Sequence, residues 1–176
     1  MNSNLRYHIF IYGMNFGVAE EEGMFQARWS FGRENFDRVR QLRRACFVEE
    51  QGIDENEEFD AFDGVSAHLF VEDSSGEPIA VGRMFPDGET TRIGRICVAP
   101  AFRGRLYDDL VLRILLYKAE GLAGNTVVTC PPEKDAQFYE RFGFAREGEP
   151  FFERNALRVK LCVPRDKIVW PKECGG

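Results

Sequence analysis

Between residues 67 and 130 the apolar pattern changes period twice, and few folds accommodate that. Residues 67–73, 79–85 and 90–98 read as β-type runs. Ser74-Ser75-Gly76-Glu77-Pro78 parts the first two, and Pro86-Asp87-Gly88, with its Asp-Gly hairpin signal, parts the second and third. The three runs predict an antiparallel meander. From Tyr107 the period turns helical: Leu110, Val111, Ile114, Leu115 and Ala119 share one face, and Gly121 closes it. Residues 127–130 then form a short apolar run of the kind buried inside a sheet.

The flanking sequence extends this pattern. Residues 24–30 predict a strand. Residues 34–49 carry Phe36, Val39, Leu42, Cys46 and Phe47 at helical spacing, stopped by Gly52. The acidic stretch 53–64 reads as a loop or broken helix. Pro132 suits the first turn of a further helix reaching Phe142, and β-runs at 144–147 and 156–163 finish the domain. The expected order is β-α-βββ-α-β-α-ββ, an α/β sheet that is antiparallel first and parallel in the middle. Residues 1–23 read as an N-terminal extension whose 7–12 run could add an edge strand, residues 24–163 as the domain proper, and 164–176 as a surface tail.

Composition excludes several functions. A formal charge of −6 without a basic run disfavours nucleic acid as a partner, although the 18 Arg far outnumber the 5 Lys. Five cysteines without a C-x-x-C and only two histidines, His8 and His68, indicate neither a disulfide framework nor a metal site. Free thiols suit a reducing compartment, so a cytoplasmic protein is expected. No run reaches the ~18 apolar residues of a membrane span. An exposed strand edge and a Phe-rich tail would suit a homodimer.

Nucleophile elbows and phosphate-cradling glycine motifs are absent. The informative segment is GRICVAPAFRGRLYDDLVLRILLYKA, residues 94–119, where a strand runs through Arg103-Gly104-Arg105 into a helix. Free N–H groups at a helix start, flanked by two guanidiniums, make a sensible anion site.

This strand–loop–helix, the element order and FYERFGF (138–144) resemble the GNAT N-acetyltransferase superfamily over roughly residues 24–163. RACFVEEQGID (44–54), EFDAFD (58–63), AVGRMF (80–85), IGRICV (93–98) and GEPFFE (148–153) resemble a bacterial branch reading FVxEQ, E-x-D-x-x-D and GR-x-x-V in that order. The resemblance implies a GNAT-like mixed central sheet flanked by helices, with acetyl-CoA as acyl donor in a cleft where two strands splay. It implies backbone pairing of Ile96, Cys97 and Val98 with the pantetheine arm, and a diphosphate facing the loop of Arg103, Gly104, Arg105, Leu106, Tyr107 and Asp108. Tyr139 would protonate the departing thiolate. That delivery is expected to run downhill, from a phenol near ~10 to a thiol near ~8.5. A base is required because an amine attacks only when neutral, and Glu50, Asp63 and His68 are expected at the acceptor. The loops 51–65 and 151–155 are expected to build the acceptor pocket.

The family loop reads R/Q-x-x-G-x-G/A, and here Leu106 and Asp108 replace both glycines. A carboxylate ~4 Å from a phosphate at an effective dielectric of ~20 costs ~4 kcal/mol, about three decades of affinity. Three functions follow from these residues. The leading one moves an acetyl or other acyl group to an amine of a small molecule by direct attack. The second takes its acyl chain from a carrier protein, as acyl-homoserine-lactone synthases do, because carrier-borne phosphopantetheine lacks the adenosine diphosphate. The third is a GNAT-shaped domain that binds without catalysis.

Overall fold

The meander expected over residues 67–98 is the centre of a larger sheet. The structure is a computed structural model and describes residues 8–12, 15–20, 23–122 and 124–172. Strands β1 (His8–Tyr12), β2 (Asn15–Glu20) and β3 (Gly23–Phe31) precede helix α1 (Phe36–Arg43) and the short helix α2 (Glu55–Glu58). The chain continues through β4 (Ala67–Glu72), β5 (Pro78–Asp87), β6 (Thr90–Val98), α3 (Tyr107–Glu120), β7 (Thr126–Thr129) and α4 (Ala136–Glu140). Strands β8 (Ala145–Arg146), β9 (Phe151–Glu153), β10 (Ala156–Arg158) and β11 (Leu161–Pro164) complete it. Among the described residues one sheet has the order β1-β2-β3-β4-β5-β6-β7-β11-β8, and β9 with β10 forms a separate hairpin.

The sheet is mixed, but with one parallel pair, β6 with β7, where several parallel strands were expected. Within the 7–12 run, residues 8–12 add an edge: β1 and β2 form a hairpin whose second strand pairs with β3. Residues 1–7 of the expected extension and 173–176 of the expected tail lie outside the described residues. The run at 156–163 is two strands, because Arg158 leaves for the β9–β10 hairpin while Leu161 returns to pair with Thr129. The helix expected over 34–49 is α only to Arg43. It continues as a π-turn through Arg44–Glu49, closed by the Glu50 N–H donating to the Ala45 carbonyl at 3.1 Å. The helix expected from Pro132 begins as a 3₁₀ turn and is α over five residues.

Strand alternation distributes two cores. Leu69, Val71, Ala80 and Met84 pack with Leu110, Val111 and Leu115 of α3, whereas Phe70, Val81 and Cys97 pack with Val39, Leu42 and Phe47. Helix α3 lies close against β5 because residue 82 is glycine. A Cβ there would stand 2.7 Å from Val111 Cγ1 and 2.8 Å from Leu115 Cδ1.

Two local features open a cavity at the sheet's centre. Strands β6 and β7 pair only through Thr90↔Thr126, Thr91↔Val127 and Arg92↔Val128, and beyond Arg92 they part. On its other side β6 carries a bulge. Arg83 pairs with Gly94 but Val81 pairs with Cys97, so Arg95 and Ile96 together face Gly82. Arg95 takes the left-handed conformation, φ 53°. A bulge bends its strand and re-aims side chains, and this one falls where β6 leaves its neighbour.

Candidate active site

Two adjoining cavities occupy the parting of β6 and β7. The first, about 370 Å³, runs along Ile96, Cys97 and Val98 to Arg103, Gly104, Tyr107 and Asp108. The second, about 440 Å³, lies toward the bulge, among Arg95, Gln51, Asp60, Phe62, Thr129 and Arg154. Ile96, Asp135 and Tyr139 line both, so the cavities meet at those three residues.

Tyr139 comes from α4 and is buried, with its ring edge-on to Phe138 at 5.0 Å and to Phe144 at 5.9 Å. Its hydroxyl bonds the Thr129 side chain at the end of β7. Burial, reinforced by the Asp135 carboxylate, pushes the phenol well above its ordinary value and keeps it neutral. This reverses the expected direction of proton delivery. A proton moves downhill from the lower pKa to the higher, and even the ordinary values, ~10 against ~8.5, run the other way. A neutral phenol here serves as a fixed hydrogen-bond donor. Burial also raises the Asp135 carboxyl, which makes it a better proton acceptor near neutrality. No motif in the sequence marked Asp135 for a role.

The donor-side loop differs in detail from expectation. Arg103 is held by Glu50, with N–O distances of 2.5 and 2.8 Å, and its Nε donates to the Val98 carbonyl at 3.1 Å. That pair places Glu50, expected at the acceptor, beside the donor loop, and the Arg103 bonds hold its carboxyl below the usual range. Arg105 and Leu106 line neither cavity. Arg105 instead lies over the Phe102 ring at 5.6 Å. Leu106 occupies the left-handed conformation, φ 61°, at the cap of α3. That conformation costs a non-glycine residue about 1–2 kcal/mol and a glycine little, so the backbone keeps the glycine shape without the glycine. The Asp108 carboxylate accepts the Asp109 N–H at 3.0 Å and so brings its own anion to the helix start. The loop end of the groove therefore carries a negative charge from the protein. Cys97 in the groove is a free thiol that burial pushes up in pKa.

Asp63 and His68 line neither cavity; they lie behind the wall. Asp63 is gripped by Arg43 at 2.7 Å and Arg83 at 2.8 Å. Its carbonyl meets His68 Nε2 at 3.1 Å, and the imidazole is fully buried against Phe36, ring centroids 5.0 Å apart. Burial lowers the His68 pKa below 6.5. Protonation therefore favours the unfolded chain: the His68 contribution is intact above about pH 6.5 and declines as pH falls toward the folded value. We expect the stability gap between the wild type and His68→Asn to shrink from pH 7 to pH 5 in urea titrations. A gap that stays constant would contradict a neutral buried imidazole.

Sequence reading missed the arginines. Arg83, Arg95 and Arg154 converge from β5, the β6 bulge and the turn of the β9–β10 hairpin, and all line the second cavity. Asp60 pairs with Arg83 at 2.6 Å and Arg95 at 3.1 Å, and buried Glu58 pairs with Arg43, Arg95 and Arg154. The hairpin turn uses Arg154 and Asn155, both at positive φ. Asn155 Nδ2 donates to the Gly52 carbonyl at 2.7 Å, clamping the hairpin onto the segment before α2. The loops expected to build an acceptor pocket, 51–65 and 151–155, thus both contribute to this cavity.

Residues 65–146 match the family model described as an acetyltransferase (GNAT) domain. A Bacillus subtilis (strain 168) protein whose name proposes an acetyltransferase, BSU40680, is 31% identical over 123 residues, covering 63% of this chain and 77% of the relative. The chain belongs to the GNAT acetyltransferase family. A solved structure from Lactobacillus plantarum, titled as a proposed N-acetyltransferase, superposes with TM-score 0.70 at 25% identity, covering 78% of this chain and 97% of that one. An acyl-CoA N-acyltransferase from Pseudomonas aeruginosa shares the fold at TM-score 0.72 and 22% identity, over 78% and 98% of the two chains. The acyl-homoserine-lactone synthase LasI shares the fold alone, at TM-score 0.65 and 14% identity, over 86% and 100% of the chains. No helix among the described residues of this GNAT domain is long and apolar enough to cross a membrane.

Proposed function

We propose that the protein transfers an acetyl group from acetyl-CoA to the amine of a small molecule by direct attack in a ternary complex. The meeting of the two cavities at Tyr139, Ile96 and Asp135 carries this reading, since it lets a donor and an acceptor enter from opposite sides. Ile96, Cys97, Val98, Arg103, Gly104, Tyr107 and Asp108 hold the donor, whose thioester supplies an activated acyl group and a thiolate leaving group. Asp135 accepts the amine proton through a water. Tyr139 donates its hydrogen bond where negative charge grows on sulfur, and the proton lost from nitrogen balances the one gained by the thiol. Asp63 and His68 hold the Arg83 wall from behind, and Glu50 positions Arg103. The setting is cytoplasmic.

Calorimetric titration with acetyl-CoA, paired with thiol release across an amine panel, tests the reading. We expect micromolar binding and amine-dependent thiol release. The Leu106→Gly/Asp108→Gly variant is expected to bind at least about tenfold tighter, because a like charge and the Cβ atoms in the way of the backbone both go. The Asp108 carboxylate at the helix start favours one second reading, a donor carried on an acyl carrier protein. Binding only by the double variant would support that reading and overturn the free acetyl-CoA donor. Binding without thiol release for any amine would indicate a domain that does not catalyse.

A further inference from the structure

The buried wall of the second cavity holds more cations than anions. Arg43, Arg83, Arg95, Arg154 and Arg158 are each at most 13% exposed at the side chain, whereas the buried or half-buried acids packed among them are Glu58, Asp60 and Asp63; Glu57, Asp135 and Glu153 line the same cavity from exposed positions. Among the groups withdrawn from solvent, five positive charges thus meet three negative ones. Glu153, the carboxylate nearest Arg158, lies 4.0 Å away and is 57% exposed, so solvent screens it. Arg158 spends its donors instead on the Glu153 and Cys130 carbonyls.

The surplus leaves marks on the remaining arginines. The Nε atoms of Arg83 and Arg154 are buried and have no hydrogen-bond partner. Buried donors are nearly always satisfied, and two orphans in one wall point to a missing acceptor. Burial pulls the Arg95 guanidinium down to about 9; Glu58 opposes this, and Arg154, Arg83 and Arg43 add to it. A guanidinium in that position gains from any added negative charge. Arg92, 41% exposed at its side chain and paired with Asp87 at 3.2 Å, also lines the cavity.

From this geometry we infer that the acceptor carries an anionic oxygen group, a carboxylate or a phosphate, besides its amine, and that Arg83, Arg92, Arg95 and Arg154 form the subsite for it. The inference rests on the transferase reading for the amine but not for the anion. Guanidinium forks match either oxyanion in paired hydrogen bonds. The amine then lies toward Asp135 and Tyr139, on the far side of the same cavity. Phe62 and Phe85, stacked at 4.6 Å beside Asp60 and Arg83, give an apolar rim for the body of the molecule.

The test titrates two matched pairs of probes into the full chain by calorimetry without acetyl-CoA: L-phenylalanine against phenethylamine, and O-phosphoethanolamine against ethanolamine. At least one anionic probe is expected to bind about tenfold or more tightly than its anion-free partner, the worth of one charge-assisted hydrogen bond. The arm in which this appears tells carboxylate from phosphate. Arg92→Gln and Arg154→Gln are each expected to lose most of that preference. Arg154→Gln should keep the wild-type melting temperature, because it removes a surplus cation and leaves Glu58 paired with Arg43 and Arg95. Equal binding within both pairs, or a preference that survives both substitutions, overturns the subsite. A preference without any thiol release from acetyl-CoA would keep the subsite and remove the transferase. Thiol release equally efficient with phenethylamine would do the reverse.

Discussion

Tyr139→Phe is expected to lower kcat by about 10²-fold or more, the usual scale for losing one hydrogen-bond donor aimed at developing charge, while acetyl-CoA affinity stays nearly unchanged. The phenol stands where both cavities meet, its ring is fixed by Phe138 and Phe144, and its hydroxyl is bonded to Thr129. The substitution keeps the ring and removes only the donor. It also leaves the Thr129 hydroxyl short of one partner, a cost of about 1 kcal/mol that a melting curve would register separately. Because burial holds the phenol above its ordinary value, its ionisation should not produce an alkaline limb near pH 10 in the wild-type rate profile. Steady-state kinetics of the two proteins with the best acceptor decide the matter. An undiminished rate would remove Tyr139 from the mechanism and show that the leaving sulfur needs no hydrogen bond from it.

Glu58→Gln is expected to cost about 3–5 kcal/mol of folding stability, the scale of leaving buried charges without their counter-ion. Glu58 is fully buried, and its carboxylate serves Arg43 at 2.7 Å, Arg95 at 3.1 Å and Arg154. The isosteric amide removes the charge: Arg154 keeps no carboxylate partner, while Arg43 retains Asp63 and Arg95 retains Asp60. A domain of this kind has only about 5–15 kcal/mol in total, so the variant should unfold at much lower urea. Adding Arg154→Gln to it should recover part of the loss, since one stranded cation goes. A single-variant cost below about 1 kcal/mol would mean that water or pairing elsewhere compensates the arginines, and that the wall is not cation-rich after all.

Much of the frame was legible because its signals are local. Three β-type runs, a helical period and a short apolar strand fix the order from Ala67 to Thr129, and FYERFGF with the 103–108 loop locates one side of the site. The charged wall was not legible, because it is assembled from separate places: Arg43 closes a helix, Arg83 sits in a strand, Arg95 in a bulge and Arg154 in a hairpin turn. Each reads alone as an ordinary surface arginine. The bulge itself has no composition of its own, since IGRICV also reads as an unbroken strand. Glu50, expected at the acceptor from the resemblance, lines neither cavity, because the end of the π-turn directs it to Arg103.

The clamp between the β9–β10 turn and the segment before α2 has a consequence for how the molecule comes into being. Its contacts join residues 103 and 96 positions apart in the chain, Asn155 with Gly52 and Arg154 with Glu58. Contacts across such loops must overcome a large closure entropy, so they are expected to form after the meander and α3 have condensed. Chains released early from synthesis, or trapped before the C-terminal hairpin docks, would then hold a finished donor groove and only half an acceptor wall. Such forms could occupy the donor but could not orient an amine against it.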